Sequence, residues 1–162
     1  MRIRPMKTSD IGTIRELIDI CKPLDLHTPF TYWILSEYFN NTCLILEDEG
    51  AIVGYTGGLK SSSKEGVFYL WQIGLLPDYR GQGYFGLLLN RVIEEAKKTG
   101  CHYLEFSVLS DNYQSINAFS NYAKKKGLPM EKRGSLNFYD KFADEECKED
   151  IYQILLLPLY NV

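Results

Sequence analysis

The sequence predicts an α/β fold of the α+β kind, in which one mixed sheet is flanked by helices. Strand-like segments alternate with segments of helical periodicity along all 162 residues. Their order is strand, two helices, three strands, helix, strand, helix and two strands, which makes about seven strands and about four helices. Because 162 residues lie near the usual domain length, we expect residues 1–162 to form a single domain.

The first third of the chain predicts one strand and two helices. Residues 3–6 have a strand-like composition, and apolar residues then recur at helical spacing over residues 11–21. A second helical segment, rich in aromatic residues, covers residues 32–39. The stretch 22–29 contains two prolines and separates the helices, so we expect a loop there with room for a binding site. The first helix follows three N-cap candidates, Thr8, Ser9 and Asp10.

The rest of the chain predicts a hairpin, a buried strand, two further helices and three more strands. Residues 42–47 and 51–59 are strand-like and are joined by a short turn that contains glycine. The run 67–75 is apolar and aromatic, as expected for a central strand buried on both faces. The later elements are a helix with its apolar face at 88–96, a strand over 103–108, a helix over about 115–126, and strands near 135–139 and 151–157.

Composition argues against several classes of partner. The 18 basic residues are outnumbered by 21 acidic ones, and the formal net charge is -3, so we expect no nucleic acid partner. The basic run at residues 124–126 ends a predicted helix, where cations are favoured by the helix dipole and are usually solvated. No apolar run approaches transmembrane length, and the N-terminus lacks the apolar region of a signal peptide, which predicts a cytoplasmic protein without membrane contact.

The cysteines and histidines do not indicate a metal site. The four cysteines lie far apart in the sequence and form no CxxC pair, so we expect reduced, mostly structural thiols. His27 and His102 also lack the spacing of metal ligands. The sequence therefore predicts a protein without a metal cofactor.

The most informative segment is the glycine-rich turn at residues 76–86. It lies between the buried strand and the third helix, and it contains Arg80, Gly81, Gln82 and Gly83. Glycine lets the backbone turn sharply and approach a ligand closely, while the first N–H groups of a helix point at whatever binds there. This combination predicts a pyrophosphate site, and a tight turn without a ligand is the alternative for a glycine turn on its own.

Together, the strand, Pro77, the glycine turn and the helix resemble the motif by which GNAT acetyltransferases hold the pyrophosphate of acetyl-CoA. The segment 111–119 is similar to the stretch of that family that contacts the pantetheine arm. The resemblance covers nearly the whole chain, and it implies the GNAT fold, with a mostly antiparallel mixed sheet, and acetyl-CoA as cosubstrate. The residues that it implies for acetyl-CoA binding are Ile73, Gly74, Leu75, Arg80, Gly81, Gln82, Gly83, Tyr84, Phe85, Gly86, Asn112, Ser115 and Phe119.

Two residues depart from the GNAT pattern. Phe85 stands where the family often has Gly or Ala, which requires its side chain to turn into the core. Phe119 stands where many members have a tyrosine that protonates the departing thiolate. Since phenylalanine cannot donate a proton, the alternatives are Tyr122, a water molecule or unassisted departure. The attacking amine is charged at neutral pH, so a carboxylate or a chain of water molecules must accept its proton.

A closer resemblance is to the L-2,4-diaminobutyrate acetyltransferases of ectoine biosynthesis. It rests on residues 24–32 (LDLHTPFTY), on residues 68–73 (FYLWQI) and on shorter matches elsewhere. It implies L-2,4-diaminobutyrate as the acceptor and a homodimer as the assembly. Acidic side chains suit a substrate with two ammonium groups, and the face of a tryptophan suits a cation. The residues that it implies for acceptor binding are Asp25, Phe30, Trp71, Glu146 and Glu149, of which Glu149 is also the predicted catalytic residue.

Three positions differ from the diaminobutyrate pattern. His27 replaces an asparagine, Phe30 replaces a tyrosine and Glu146 replaces a histidine, which changes the polar groups that an acceptor must satisfy. Another diamino acid, a polyamine or a protein amine is therefore an alternative acceptor. A non-catalytic sensor that binds acyl-CoA is the alternative of a different class.

The residues implied for acceptor binding also have structural interpretations. Asp25 is a possible turn residue near Pro23, Trp71 a possible core residue, and residues 144–150 a possible solvated acidic turn before the last strand. It is the joint match of these positions that favours a binding role.

Overall fold

The computed structural model describes residues 1–156 and consists of a seven-stranded sheet with helices on both faces. The strands are β1 (Arg2–Pro5), β2 (Cys43–Asp48), β3 (Ala51–Lys60), β4 (Val67–Leu75), β5 (Tyr103–Leu109), β6 (Met130–Asp140) and β7 (Glu145–Leu155). The helices are α1 (Ile11–Ile20), α2 (Pro29–Tyr38), α3 (Tyr84–Lys98) and α4 (Tyr113–Lys126). Short 3-10 turns at Thr8–Asp10 and Pro77–Tyr79 lead into α1 and out of β4. The predicted α+β architecture and its order of elements are confirmed.

The sheet has the strand order β1-β2-β3-β4-β5-β7-β6. Neighbouring strands are antiparallel except for β4 and β5, which are parallel, so the predicted mixed and mostly antiparallel sheet is also confirmed. Helices α1 and α2 form one core layer around the buried rings of Tyr32 and Tyr55. Helices α3 and α4 form the other layer, in which Phe106 and Phe119 are buried.

Local sequence signals account for the helix boundaries. Thr28 caps α2 by accepting the Thr31 N–H at 3.4 Å, and a proline occupies the first turn. Asn112 caps α4 in the same way, by accepting the Ser115 N–H at 3.1 Å. Helix α4 ends at Gly127, whose φ is +64°. Within residues 1–156, none of the helices is long and apolar enough to cross a membrane.

Strand β4 contains a β-bulge at Trp71. Two consecutive residues of β3 pair with Leu70 and Gln72, so Trp71 is an extra residue on β4. A bulge bends its strand and increases the local twist. Strand β4 pairs with β5 only over Val67–Tyr69, and the two strands part beyond that point. The bulge therefore lies where the sheet opens.

The last hairpin is longer than the sequence predicts. Strand β6 begins at Met130 and β7 begins at Glu145, whereas the predicted strands begin near residues 135 and 151; residue 157, the predicted end, lies outside the described residues. The interpretation of residues 144–150 as an acidic turn is wrong for 145–150, which pair with β6; Glu149 and Asp150 pair with β5 as well. Since β6 is almost wholly exposed, backbone pairing defines this hairpin, and the pattern of apolar residues cannot reveal it.

An ion-paired cluster centred on Arg4 joins β1 to β2 and to the turn before α1. The guanidinium lies 2.6 Å from a Glu47 oxygen and 2.7 and 2.9 Å from the two Asp10 oxygens. The Asp10 carboxylate also accepts the Lys7 N–H at 2.7 Å. The hydrogen bonds from Arg4 hold the pKa of Asp10 below its usual value, although burial acts in the opposite direction.

Replacing Asp10 with asparagine should lower the free energy of unfolding at neutral pH by about 1–3 kcal/mol, because Arg4 loses a charged acceptor. Since the folded-state pKa of Asp10 is lowered, its contribution is fully present above the unfolded pKa, near 3.8, and is lost as the pH falls through the folded value. The difference between wild type and Asp10→Asn, measured by urea denaturation, should therefore shrink only below about pH 4. Asp19→Asn is the control, because Asp19 pairs with Lys22 on the exposed surface of α1. A similar loss in both variants would contradict this account.

Candidate active site

A cleft opens where β4 and β5 part. It consists of two cavities of about 170 and about 210 Å³. Asp25 and Glu149 line the first cavity, which we call the carboxylate end, while Arg80 and Gly81 line the second, which we call the turn end. The cavities adjoin each other, because both are lined by Pro23, Leu24, Ile73, Asn112, Ser115 and Phe119.

Strand β4 directs main-chain groups into the cleft. The Leu76 N–H donates to a carbonyl of β3 at 3.0 Å. Since successive residues of a strand point their hydrogen-bonding groups to opposite edges, the groups of Ile73 and Leu75 face the edge that β5 has left. The Leu75 carbonyl there accepts Arg80 Nε at 3.0 Å and Cys21 Sγ at 3.1 Å. An extended ligand with amide groups could pair with the other main-chain groups of this edge.

The turn end has the features of an anion site. Gly81 and Gly83 have φ values of +72° and +87°, and a Cβ atom on either would meet no described atom within 4 Å. Gly83 is the N-cap of α3, and the first intrahelical bond of α3 runs from the Leu87 N–H to its carbonyl at 3.1 Å. The N–H groups of residues 84–86 therefore remain available to a ligand in open space, at the positive end of the helix dipole.

The carboxylate end combines two acidic side chains with a neutral hydroxyl pair. Glu149 lies on β7 and Asp25 on the loop between α1 and α2. The Tyr69 hydroxyl and Ser107 Oγ are 2.8 Å apart. Burial raises the pKa of Tyr69, and the negative charge of Glu149 raises it further, while the hydrogen bond to Ser107 acts in the opposite direction. Tyr69 is therefore a neutral hydrogen-bonding group at physiological pH. The carboxylate end as a whole is acidic.

The loop that carries Asp25 is held in place by the bulge on β4. Gln72, which is buried, donates from Nε2 to the Asp25 carbonyl at 2.7 Å, and its Oε1 accepts the Tyr32 hydroxyl at 3.4 Å. The ring of Trp71 lies 4.4 Å from that of His27, in the same loop. Trp71 and Gln72 are consecutive, yet both face the α1/α2 layer, as a bulge permits.

A comparison with known protein families identifies this arrangement. Residues 12–122 match the model of the acetyltransferase (GNAT) family. The chain belongs to the acetyltransferase (GNAT) family. The predicted resemblance to this family is thereby confirmed, and with the relatives below it shows that the chain is an N-acetyltransferase.

Three relatives are similar over most of their length. The chain is 28% identical to the L-2,4-diaminobutyric acid acetyltransferase of Halomonas elongata over 94% of this chain and 79% of that protein. It is 30% identical to the enzyme of the same name from Chromohalobacter salexigens over 81% of this chain and 69% of that protein. It superimposes with a TM-score of 0.83 and 28% identity on the diaminobutyrate acetyltransferase EctA of Paenibacillus lautus, solved with its substrate L-2,4-diaminobutyric acid and coenzyme A. That superposition covers 99% of this chain and 96% of the other.

In this GNAT acetyltransferase, the residues predicted to bind acetyl-CoA divide into two groups. The cavities are lined by Ile73, Gly74, Leu75, Arg80, Gly81, Phe85, Asn112, Ser115 and Phe119. The remaining four, Gln82, Gly83, Tyr84 and Gly86, belong to the turn and the first turn of α3 rather than to the cavity walls. The Phe85 ring turns into the core and packs edge-on against Phe119 at 5.1 Å, which meets the requirement set by its departure from the family pattern.

The structure removes one alternative for the proton donor. Phe119 is buried and stacks on Phe106 with ring centroids 3.8 Å apart. The Tyr122 hydroxyl donates to Asn90 Oδ1 of α3 at 2.7 Å, and burial raises the pKa of Tyr122 to about 12. Tyr122 also lies outside the residues that line the two cavities. A water molecule or unassisted departure therefore remains for the thiolate.

Of the residues predicted to bind the acceptor, three come together and two do not. Asp25, Trp71 and Glu149 line the carboxylate end. Phe30 is 64% exposed and stacks on Trp33 at the surface of α2. Glu146 is exposed and pairs with Lys148 on the outer part of β7. Phe30 and Glu146 line neither cavity, and their roles in acceptor binding remain predictions.

Four polar residues of the carboxylate end were not predicted as site residues: His27, Tyr69, Gln72 and Ser107. Ser107 carries a detectable signal, because it is a polar residue inside a strand. Tyr69 and Gln72 carry none, since an aromatic residue and an amide in a buried run are typical of a core. Within residues 1–156, no group of three or more His, Cys, Asp or Glu side chains is arranged to hold a metal ion.

Gly83→Val should weaken CoA binding by about tenfold or more. A left-handed conformation costs a residue with a Cβ atom about 1–2 kcal/mol, so the turn will shift and displace the N–H groups of residues 84–86. Gly100→Val is a matched control, because Gly100 has a φ of +79°, open space around its Cα, and a position at the far end of α3. Isothermal titration calorimetry measures the CoA affinity of both folded variants. Their melting temperatures measure the loss of stability that backbone strain causes, which separates strain from binding. Wild-type affinity in folded Gly83→Val would refute the anion site.

Proposed function

We propose that this acetyltransferase transfers the acetyl group of acetyl-CoA to the γ-amine of L-2,4-diaminobutyrate, a step of ectoine biosynthesis. One observation carries the proposal: a single cleft has an anion site at one end and the carboxylates of Asp25 and Glu149 at the other. A donor with a pyrophosphate and an acceptor with two ammonium groups fit these ends. The similarity to diaminobutyrate acetyltransferases supports the same acceptor.

On the donor side, the chain supplies main-chain hydrogen bonds. The N–H groups of residues 84–86 would bind the pyrophosphate, and the main-chain groups of Ile73 and Leu75 would bind the amides of the pantetheine arm. An N–H of β4 would then stabilise the negative charge that develops on the thioester oxygen, as in an oxyanion hole. We expect residues 1–162 to form a single domain. This domain would carry both ends of the cleft.

On the acceptor side, we propose Glu149, the predicted catalytic residue, as the proton acceptor. The amine must lose a proton before it attacks, and Glu149 is the cavity-lining carboxylate that faces the reactants from β7. The neutral amine forms the new C–N bond at the thioester carbon. The C–S bond breaks as the tetrahedral intermediate collapses, and the extra proton on the attacking nitrogen passes to solvent. CoA leaves as a thiolate and takes a proton from solvent, since Phe119 has no hydroxyl to give. Asp25 and the face of Trp71 would hold the second ammonium group.

The assembly and the compartment follow from the same proposal. The resemblance implies a homodimer, and Leu136 and Phe138, whose exposed side chains lie on the same face of β6, are an apolar surface that a dimer could cover. Cys21, Cys43 and Cys101 are free and buried, which suits the reducing environment of the cytoplasm. Light scattering after size-exclusion chromatography would measure the oligomeric state.

An acetyl-transfer assay tests the proposed function. Purified protein and acetyl-CoA are mixed with L-2,4-diaminobutyrate, ornithine, a polyamine or an N-terminal peptide, and thiol release is followed against a blank without acceptor. The blank corrects for the reaction of the reagent with protein thiols such as Cys147. We expect L-2,4-diaminobutyrate to give the highest kcat/KM and mass spectrometry to locate the acetyl group on the γ-nitrogen. Thiol release with another acceptor alone would refute the assigned substrate, and none with any acceptor would favour a sensor.

Glu149→Gln should lower the acceptor kcat/KM by roughly ten- to a hundredfold, because it keeps the shape but removes a charge-assisted hydrogen bond and the proton acceptor. CoA affinity should stay at the wild-type value. Glu145→Gln is the matched control, since Glu145 lies exposed on the same strand, outside the cavity, and has no predicted role in binding. Steady-state kinetics with varied diaminobutyrate at saturating acetyl-CoA make the measurement. Unchanged acceptor kinetics in Glu149→Gln would remove Glu149 from the site.

A further inference from the structure

The two carboxylates of the carboxylate end do not account for all the charged groups of an amino-acid acceptor. Its two carboxylates, on Asp25 and Glu149, match two ammonium groups. An α-amino acid also has a carboxylate, which loses its hydration in a cavity and needs a hydrogen-bond donor or a positive charge there. Among the described residues that line this cavity, His27 alone has a side chain that can become positively charged.

The His27 ring lines the carboxylate end beside two aromatic rings. It is half-buried, and its centroid lies 4.4 Å from that of Trp71 and 6.4 Å from that of Tyr32. The imidazole is tilted by 31° against the indole, and its two nitrogen atoms lie at the edge of a ring that lines the cavity. A neutral imidazole donates one N–H hydrogen bond, and the protonated form donates two and adds a charge that the indole face favours.

The loop holds His27 and Asp25 side by side. Gln72 fixes the Asp25 carbonyl at 2.7 Å, and Arg15 Nε donates to the His27 carbonyl at 3.3 Å. The two side chains are two residues apart in the chain, and both line the cavity. An acidic and a basic side chain of one loop therefore line the same cavity, which matches the ammonium and carboxylate that share the α-carbon of an amino acid. Glu149, on β7, remains for the distal amine.

We propose that His27 binds the α-carboxylate of the acceptor and makes this site selective for diamino acids over simple diamines. This inference rests on the proposed function and deepens it. Asp25 and His27 together recognise the α-amino acid group, while Glu149 serves the amine that reacts. A diamine without a carboxylate has no group that pairs with His27, so His27 does not strengthen its binding.

The test compares two acceptors that differ only in the carboxylate. 1,3-Diaminopropane has the carbon skeleton of L-2,4-diaminobutyrate without that group. His27→Gln, which can donate a hydrogen bond but cannot be charged, should lower kcat/KM for diaminobutyrate by about tenfold, mainly through KM. The same variant should leave 1,3-diaminopropane unchanged, measured as kcat/KM or, where turnover is slow, as its Ki against diaminobutyrate. His27→Lys, which restores a positive charge, should recover part of the diaminobutyrate KM.

His102→Gln is the matched control, because His102 is the other histidine of the chain and lies outside both cavities. It should leave both acceptors and CoA affinity unchanged. An equal change for the two acceptors in His27→Gln, or an unchanged diaminobutyrate KM, overturns the assignment of His27 while the proposed function stands. A wild-type enzyme that does not acetylate diaminobutyrate overturns the proposed function first, and this inference with it.

Discussion

The bulge at Trp71 is the constraint on which the cleft depends. One extra residue bends β4 away from β5 after only three pairs, and this frees the edge whose main-chain groups face the cleft. The same bulge places Trp71 and Gln72 on one face of the sheet. Trp71 becomes a wall of the carboxylate end, and Gln72 fixes the loop above it. A regular strand would pair with β5 along its length and would leave neither the opening nor the support for the loop.

The two ends of the cleft have opposite electrostatic character for different physical reasons. At the turn end, glycine conformations and the start of α3 expose N–H groups, so the partial positive charge comes from the backbone. At the carboxylate end, the charge comes from side chains that belong to a loop and to β7. Backbone recognition suits a donor shared by a whole family, because it depends on conformation rather than on a particular side chain. Side-chain recognition suits an acceptor that differs between relatives, since single substitutions can change it.

Several residues have a structural and a binding role at once. Asn112 uses its Oδ1 atom to cap α4 and lines both cavities. Phe119 completes the aromatic core with Phe106 and Phe85 and also forms part of the cleft wall. The structural and functional interpretations of such residues are therefore compatible. A cleft between two strands has to be walled by core residues, because the opening starts inside the packed layers.

The sequence by itself determined the order of the elements, the family and the place of the turn end. Periodicity and glycine are local signals, and the segment 73–86 carries most of that end in one continuous stretch. Only the tertiary structure decided which of the residues implied by the resemblance meet at the carboxylate end, because the loop at Asp25, the strands β4 and β5, and Glu149 on β7 are far apart in the sequence. It also separated Glu149 from Glu146, since residues three apart on a strand face opposite sides of the sheet. The bulge was equally hidden, because an apolar run buried on both faces has no alternation in which an extra residue could be detected.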